Sequence, residues 1–263
     1  MSERIGNRVV IESRASTAIV TLSRAAKYNG LDLEMMRALV EAARRVKRRK
    51  EIRAVVLCGD GPAFCAGLDF ASVTRKPGRI LGAFLPWFGK ANLFQRVALA
   101  WRDLPVPVIA VTHGYCYGGG LQIALGCDFR FSSPDCEFSI MEIEWGLIPD
   151  MGASVTLRDL VPRDVALELT LTGRKFTAAE ALALNLVSRI DEQPMEAALA
   201  FAVDLAERSP DAVIAAKKLL RDTRQGSERR ALRRERRLQL GVLLGSDQRE
   251  AMRARLAEKK SAQ

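Results

Sequence analysis

Two strongly apolar runs that each end in a glycine loop constrain the fold of this chain more than any other feature. The runs "IRAVVLCGDG" (52–61) and "VPVIAVTHG" (106–114) have the composition of buried β-strands. Between them, "ANLFQRVALAWRDL" (91–104) places apolar residues at helical spacing. A strand, a helix and a second strand, with both strand-end loops on one side, predict a parallel α/β layer. Ligand-binding groups in such layers collect at the carboxyl ends of the strands.

The flanking segments extend this prediction to the whole chain. Alternating apolar and polar residues in "VVIESRASTAIVTLSR" (9–24) predict a β-hairpin. The following segment, 31–50, has helical periodicity with Asp32 as its N-cap. Beyond about residue 160 the pattern becomes almost wholly helical. We therefore predict an α/β core that carries the ligand site at residues 1–195 and a C-terminal helical portion at residues 196–263.

Composition narrows the class of protein. The chain has 263 residues, of which 48% are hydrophobic and 27% charged, which is typical of a globular domain and excludes disordered and fibrous classes. We find no signal-peptide pattern, and the longest apolar runs are too short to cross a bilayer, so we expect a soluble, cytoplasmic protein. The five cysteines lack CxxC spacing and the chain has one histidine, so we expect buried reduced thiols and no metal site.

A net charge of +10 favours anionic partners, which include nucleic acid, a membrane surface or a phosphate-bearing small molecule. Much of the excess lies late in the chain, in "ERRALRRERRLQLG" (228–241). Arginines on more than one face of a helix are typical of a solvated or subunit-contacting surface. Because no aromatic nucleic-acid motif accompanies the charge, nucleic acid is the less favoured partner.

Two glycine-rich loops are candidates for close contact with a ligand. In "GDGPAFCAGLDFAS" (59–72) and "HGYCYGGGLQIALGCD" (113–128), glycines allow sharp turns that leave main-chain N–H groups unpaired. The lysine and Ser/Thr of a P-loop are absent, and tight packing of a helix on a strand would also explain the glycines. A third strand-like segment (127–140) leads into "FSIMEIEWGLIPDMGAS" (138–154), where carboxylates lie among apolar residues. We therefore predict that the main-chain N–H donors of the two loops and the carboxylates of 138–154 face one common cavity.

These motifs resemble the enoyl-CoA hydratase/isomerase, or crotonase, superfamily. The resemblance also includes "TLSRAAKYNGLDLEMM" (21–36) and "LTGRKFTAAEALALNLVSRI" (171–190), and it covers nearly the entire chain in the family's order. It implies a crotonase-like (ClpP/crotonase) spiral of ββα units whose C-terminal helical portion makes a homotrimer or homohexamer. The implied substrate is an acyl-CoA thioester. Coenzyme A is then part of the substrate, and no other cofactor is expected.

The resemblance also implies roles for individual residues. The main-chain N–H groups of Leu68 and Gly119 correspond to the pair that holds the thioester carbonyl, and Gly67 belongs to the same coenzyme A loop. The adenine is expected near Lys27 and Ala66, with basic side chains near the phosphates. Independently of the family, fixed N–H donors stabilise the enolate that forms when a proton α to a thioester is removed.

Residue 122 departs from the family's hydratase pattern. Hydratases of this family use two glutamates to activate and deliver water, and the first of these positions holds Gln122, which cannot take a proton. The second position is Glu142. In the family, one glutamate there suffices for isomerases that move a double bond, and Asp150 coincides with a second proton carrier of the dienoyl-CoA isomerases. We therefore predict an acyl-CoA double-bond isomerase with Glu142 and Asp150 as its catalytic carboxylates.

Several alternatives remain open at the level of sequence. Asp150 is also well placed to be a helix N-cap, while Glu144 and His113 are interpreted as a bystander and a turn residue. An aromatic cluster of Phe84, Trp87 and Phe88 could line an acyl pocket or belong to the core. For function, the alternatives are hydration or other thioester-enolate chemistry, and a non-catalytic binder of acyl-CoA or RNA.

Overall fold

The computed structural model describes residues 2–73, 82–84 and 91–261, and in this part of the chain it forms two sheets. The larger sheet contains β1 (Ser2–Ile5), β2 (Val9–Arg14), β3 (Thr17–Leu22), β4 (Ala54–Gly59), β5 (Val108–Thr112), β7 (Phe129–Ser132) and β10 (Arg189–Ile190). Its strands lie in the order β1-β2-β3-β4-β5-β7-β10. The smaller sheet contains β6 (Tyr115–Tyr117), β8 (Glu137–Ser139) and β9 (Lys175–Thr177), in the order β6-β8-β9.

Helices connect and follow these strands. The helices before residue 160 are α1 (Leu33–Arg48), α2 (Phe70–Val73), α3 (Leu93–Arg102), α4 (Gly119–Leu125) and α5 (Ala153–Leu160). The later ones are α6 (Arg163–Thr172), α7 (Ala178–Ala183), α8 (Pro194–Ala206), α9 (Pro210–Thr223), α10 (Glu228–Leu244) and α11 (Ser246–Ser261). Short 3-10 turns span Ala25–Lys27 and Met141–Trp145.

The predicted hairpin and parallel layer are confirmed. Strands β2 and β3 pair antiparallel, and β3, β4, β5 and β7 pair parallel in succession. The predicted cap of α1 is also present, because the Asp32 carboxylate accepts a hydrogen bond from the main-chain N–H of Met35 at 2.7 Å. The region after residue 160 is less helical than predicted, since it contains the strands β9 and β10.

The smaller sheet brings the glycine motif and the acidic segment to one edge. The third strand-like segment divides into β7, in the larger sheet, and β8, in the smaller one. Strand β8 runs parallel to β6, with Tyr117 opposite Ser139. The main-chain N–H of Gly118 donates to the carbonyl of Ser139 at 2.9 Å. Because parallel strands end at the same edge, the residues after each strand leave side by side.

The core lies on both faces of the larger sheet. One face packs against α1, α3 and α4, with Trp101, Phe64 and Leu57 fully buried there. The other face packs against α8, where Ala198 and Ala202 are buried against the sheet. The packing of α8 continues past the predicted boundary at residue 195, whereas α9 and α10 bury no side chain completely. By packing, the sheet layer therefore extends to the end of α8.

All five cysteines are buried and none is paired in a disulfide. Burial raises the pKa of the Cys65 thiol to about 12, so this group stays protonated and unreactive at neutral pH. Among the described helices, none combines the length and apolar character required to pass through a bilayer.

Candidate active site

The first glycine loop is held by main-chain hydrogen bonds that leave one donor unused. The N–H of Ala66 donates to Tyr28 at 2.9 Å, and the carbonyl of Gly67 accepts from Leu31 at 2.8 Å. The N–H of Leu68 has no acceptor among the described residues. Gly67 has φ +90°, and a Cβ there would lie 3.0 Å from the carbonyl oxygen of Tyr117. Only glycine fits this turn without strain, so the loop geometry depends on it.

The second unused donor is at the start of α4. The first hydrogen bond within this helix runs from the N–H of Gln122 to the carbonyl of Gly118 at 3.0 Å. Within the described residues the N–H of Gly119 therefore has no acceptor, as expected for the first turn of a helix. A Cβ on Gly67 would lie 3.7 Å from the nitrogen of Gly119, so the two loops that carry the free donors are neighbours.

Glu142 lies directly against the second glycine loop. It belongs to the 3-10 turn that follows β8, and a Cβ on Gly118 would lie 3.3 Å from its Oε1. Its other oxygen, Oε2, is buried and has no hydrogen-bond partner within the described part of the chain. Burial raises the pKa of Glu142, although a hydrogen bond from Gln122 acts in the opposite direction. Such a carboxylate is suited to take up a proton.

Gln122 fixes the orientation of Glu142. The Oε1 of Gln122 accepts from the main-chain N–H of Met151 at 2.8 Å. Its Nε2 must then face the carboxylate, and it donates to Oε1 of Glu142 at 2.6 Å. Gln122 is buried, so both bonds are protected from water. Sequence reasoning identified the substitution at this position but missed the bridge, since no local pattern connects residues 122 and 151.

Asp150 lies near Glu142 and does not cap a helix. The N-cap of α5 is Gly152, at φ +97°, and no side chain caps that helix, so the interpretation of Asp150 as an N-cap is wrong. Burial raises the pKa of Asp150, with its own main-chain N–H opposing the shift. The negative charge of Asp150 also contributes to the raised pKa of Glu142. The two carboxyl groups therefore interact across one space.

That space is a pocket of about 660 Å³ lined by both glycine loops and both carboxyl groups. Phe70 stacks on Trp145 with ring centroids 4.2 Å apart, and Phe84 stacks on Phe94 at 4.6 Å. Trp87 and Phe88, the other aromatic residues of the predicted cluster, lie outside the described residues. The large apolar side chains in the described lining are Leu68, Phe70, Phe84, Phe94, Met141, Trp145, Leu147, Ile148 and Met151.

The other predicted residues differ in their relation to this pocket, since Lys27, Glu144 and His113 are not part of its described lining. Ala66 lines it, and the exposed Lys27 is one residue before Tyr28, whose carbonyl holds the Ala66 loop. Glu144 is exposed, in keeping with its interpretation as a bystander. The ring Nε2 of His113 is 2.9 Å from the carbonyl oxygen of Gly61, which ties together the two glycine loops.

The chain is similar in sequence to proteins of one known family. A sequence model of the enoyl-CoA hydratase/isomerase family matches residues 12–263. The chain is 35% identical to enoyl-CoA hydratase EchA19 of Mycobacterium tuberculosis, over 97% of this chain and 96% of that protein. It is also 35% identical to the mitochondrial Delta(3,5)-Delta(2,4)-dienoyl-CoA isomerase of Mus musculus, over 74% of this chain and 62% of that longer protein.

The fold matches solved structures over nearly its whole length. The crystal structure of enoyl-CoA hydratase from Bacillus anthracis superposes with a TM-score of 0.87 at 25% identity, covering 95% of this chain and 96% of that one. The fold and the pocket together define a crotonase-type α/β protein. The chain belongs to the enoyl-CoA hydratase/isomerase family.

Proposed function

We propose that this protein moves a carbon–carbon double bond along an unsaturated acyl-CoA, through an enolate held by the N–H groups of Leu68 and Gly119. Coenzyme A enters as part of the substrate, and no other cofactor takes part. The observation that carries this proposal is the hydrogen bond from Gln122 to Glu142 at 2.6 Å. An amide, Gln122, stands at the position of the first hydratase glutamate, so the carboxyl groups in the described lining of the pocket are those of Glu142 and Asp150.

The pocket supplies each element of this reaction. The unpartnered Oε2 of Glu142 accepts a proton from the carbon next to the thioester carbonyl. The electron pair left by that proton delocalises onto the carbonyl oxygen, where two main-chain donors stabilise the charge. The double bond then shifts as a proton returns farther along the chain. For a 3-enoyl substrate, Glu142 returns the same proton.

For a 3,5-dienoyl substrate, the carbon that receives the proton is more distant. Burial raises the pKa of Asp150, which favours the protonated form that would deliver a proton there. Glu142 retains the proton from the first step, and proton exchange with water restores both groups. The dienoyl-CoA isomerase of Mus musculus, matched over 74% of this chain, supports this form of the proposal.

The test is a comparison of three substrates. We expect wild-type protein to convert 3-enoyl-CoA and 3,5-dienoyl-CoA and to hydrate 2-enoyl-CoA poorly. Gln122→Glu restores a second proton-carrying group, so we expect hydration to increase by about tenfold or more. The Gln122→Asn variant shortens the amide without adding a charge and serves as its control. If wild-type protein only hydrates 2-enoyl-CoA, the isomerase proposal fails.

Hydration, or other thioester-enolate chemistry, is the second candidate. It is supported by the match to enoyl-CoA hydratase EchA19, which extends over 97% of this chain. In that case Gln122 would orient a water molecule while Glu142 takes its proton. The substrate comparison separates this candidate from the first, because the two predict opposite orders of turnover.

We further propose that the protein assembles as a homotrimer or homohexamer through its C-terminal helices. Helices α9 and α10 expose large apolar side chains, including Leu220 at 71% and Leu244 at 83% exposure. Contiguous exposed apolar surface is typical of a contact between chains. Light scattering coupled to size exclusion should give three or six times 29.0 kDa; a monomeric mass at micromolar concentration would contradict the assembly.

A further inference from the structure

Four arginines line a second cavity, between α9 and α10. Arg230, Arg233, Arg234 and Arg237 follow one another at helical spacing, so they share one face of α10. Together with Asp222 of α9 they line a cavity of about 570 Å³. An apolar stripe normally occupies the face by which a helix packs on its neighbour. Here the face towards α9 carries arginines instead: Arg230, Arg233 and Arg237 are exposed to solvent and Arg234 is half-buried.

The described lining of this cavity places one carboxylate beside four guanidinium groups. Asp222 is the acid in the described lining, and its carboxylate is already shared by Arg221, Lys218 and Arg234. Arg230, Arg233 and Arg237 have no carboxylate partner in the part of the chain that the structure describes. The Nε of Arg234 is buried and lacks a hydrogen-bond acceptor there. A buried donor left unpaired is costly, so an acceptor at this place would be stabilising.

This cavity is separate from the candidate active site. The two share no lining residue, and the described lining of the pocket around Glu142 contains no lysine or arginine. The helix α10 carries six arginines and two glutamates, so it accounts for much of the net charge of +10. A concave surface of one sign concentrates counter-ions more strongly than a flat one.

We infer that the groove formed by Arg230, Arg233, Arg234 and Arg237 is a binding site for a small anion with two or more phosphate groups. Guanidinium groups bind phosphate oxygens in bidentate pairs, and four of them exceed what a single phosphate can use. The volume also exceeds that of one phosphate. Inorganic diphosphate, a nucleoside diphosphate and the diphosphate of free coenzyme A share the required chemistry.

Calorimetric titration with inorganic pyrophosphate at low salt tests the site without occupying the acyl pocket. We expect one site per chain, and we expect Arg233→Gln/Arg237→Gln to weaken it by about tenfold or more. The matched control is Arg229→Gln/Arg236→Gln, which removes the same charge from the same helix but from residues outside the groove lining. This control should bind within about twofold of wild type.

Parallel titrations with ADP and with coenzyme A identify the kind of molecule that supplies the phosphate groups. Tighter binding of ADP than of pyrophosphate would support a nucleotide, and a further gain with coenzyme A would support its additional phosphate. The inference is overturned if pyrophosphate gives no binding, or if both double variants lose affinity equally. It is also overturned if a single-stranded RNA oligonucleotide binds while pyrophosphate does not. Melting temperatures of both double variants verify that loss of binding is not loss of folding.

Discussion

Two pairs of carboxylates flank the same loop, and their surroundings give them opposite properties. Asp69, next to Leu68, is paired with Arg24 at 2.7 Å, and Asp32 is paired with Arg8 at 2.9 Å. Burial would raise the pKa of both, but hydrogen bonds from neighbouring groups outweigh it and lower each pKa. In contrast, Glu142 and Asp150 form no ion pair with any residue that the structure describes, and burial raises the pKa of both.

The environment of each pair, rather than its residue type, sets the direction in which its pKa values shift. Asp32 caps α1, and the main-chain N–H of Asp69 donates to the carbonyl of Leu31, so this pair holds the loop that carries the Leu68 donor. In the part of the chain that the structure describes, Glu142 has one buried oxygen without a hydrogen-bond partner, whereas buried carboxylate oxygens are usually hydrogen-bonded. The comparison therefore predicts that one pair controls stability and the other turnover.

Replacement of Glu142 by glutamine should have the largest effect on activity. The variant keeps the shape of the side chain but cannot accept a proton, so we expect turnover of 3-enoyl-CoA to fall about 1000-fold. Its melting temperature should not fall, because a desolvated charge has been removed. The control is Glu144→Gln, at an exposed position two residues away, which should retain wild-type turnover. Equal losses in the two variants would contradict the role of Glu142.

Asp150→Asn should discriminate between substrates. If Asp150 delivers a proton only to a distant carbon, turnover of 3,5-dienoyl-CoA should fall about 100-fold. Turnover of 3-enoyl-CoA should fall by less than about tenfold. Initial rates with both substrates on one preparation provide the measurement, since each preparation is its own control for folding. A uniform loss on both substrates would show that Asp150 acts on the pocket as a whole.

For the pair that is held in ion pairs, Asp32→Ala should reduce the free energy of unfolding more than it reduces turnover. It removes the cap of α1 and the ion pair with Arg8, and we expect a loss of about 2 kcal/mol in the free energy of unfolding. Urea denaturation measures this. Glu34→Gln removes the exposed partner of the same Arg8, 3.1 Å away, and should cost less than about 0.5 kcal/mol. A loss of turnover in Asp32→Ala without a loss of stability would break the distinction.

The sequence predicted the features that depend on local pattern. The strand runs, the parallel layer, the hairpin and the Asp32 cap follow from periodicity and capping chemistry, and the structure contains each of them. The two glycine loops were predicted to face one space because parallel strands end at one edge. Their proximity, with Gly67 close to the nitrogen of Gly119, agrees with that argument.

Features that depend on distant partners could not be predicted in this way. Gln122 bonds to Met151, which is 29 residues away, and only the fold brings the two together. Asp150 follows a proline and precedes a helix, which is a good local pattern for a cap, but Gly152 takes that position with a positive φ. The ion pair between Asp222 and Arg234 likewise could not be predicted from a local pattern, because the two residues lie in different helices.

The smallest expected effect is the dependence of stability on pH, where the two pairs should have opposite signs. The lowered pKa values of Asp32 and Asp69 mean that their stabilisation is present above the unfolded pKa near 4 and is lost as pH falls through the folded values. For Glu142 and Asp150, the folded state holds protons more tightly than the unfolded state, so stability falls as pH rises from about 4 to the raised folded values.

Urea denaturation at pH 4 and pH 7 should show that Glu142→Gln gains stability relative to wild type as pH rises, by less than about 1 kcal/mol. Asp69→Asn should instead lose stability relative to wild type over the same interval. The same sign in both variants would mean that the two pairs share one environment.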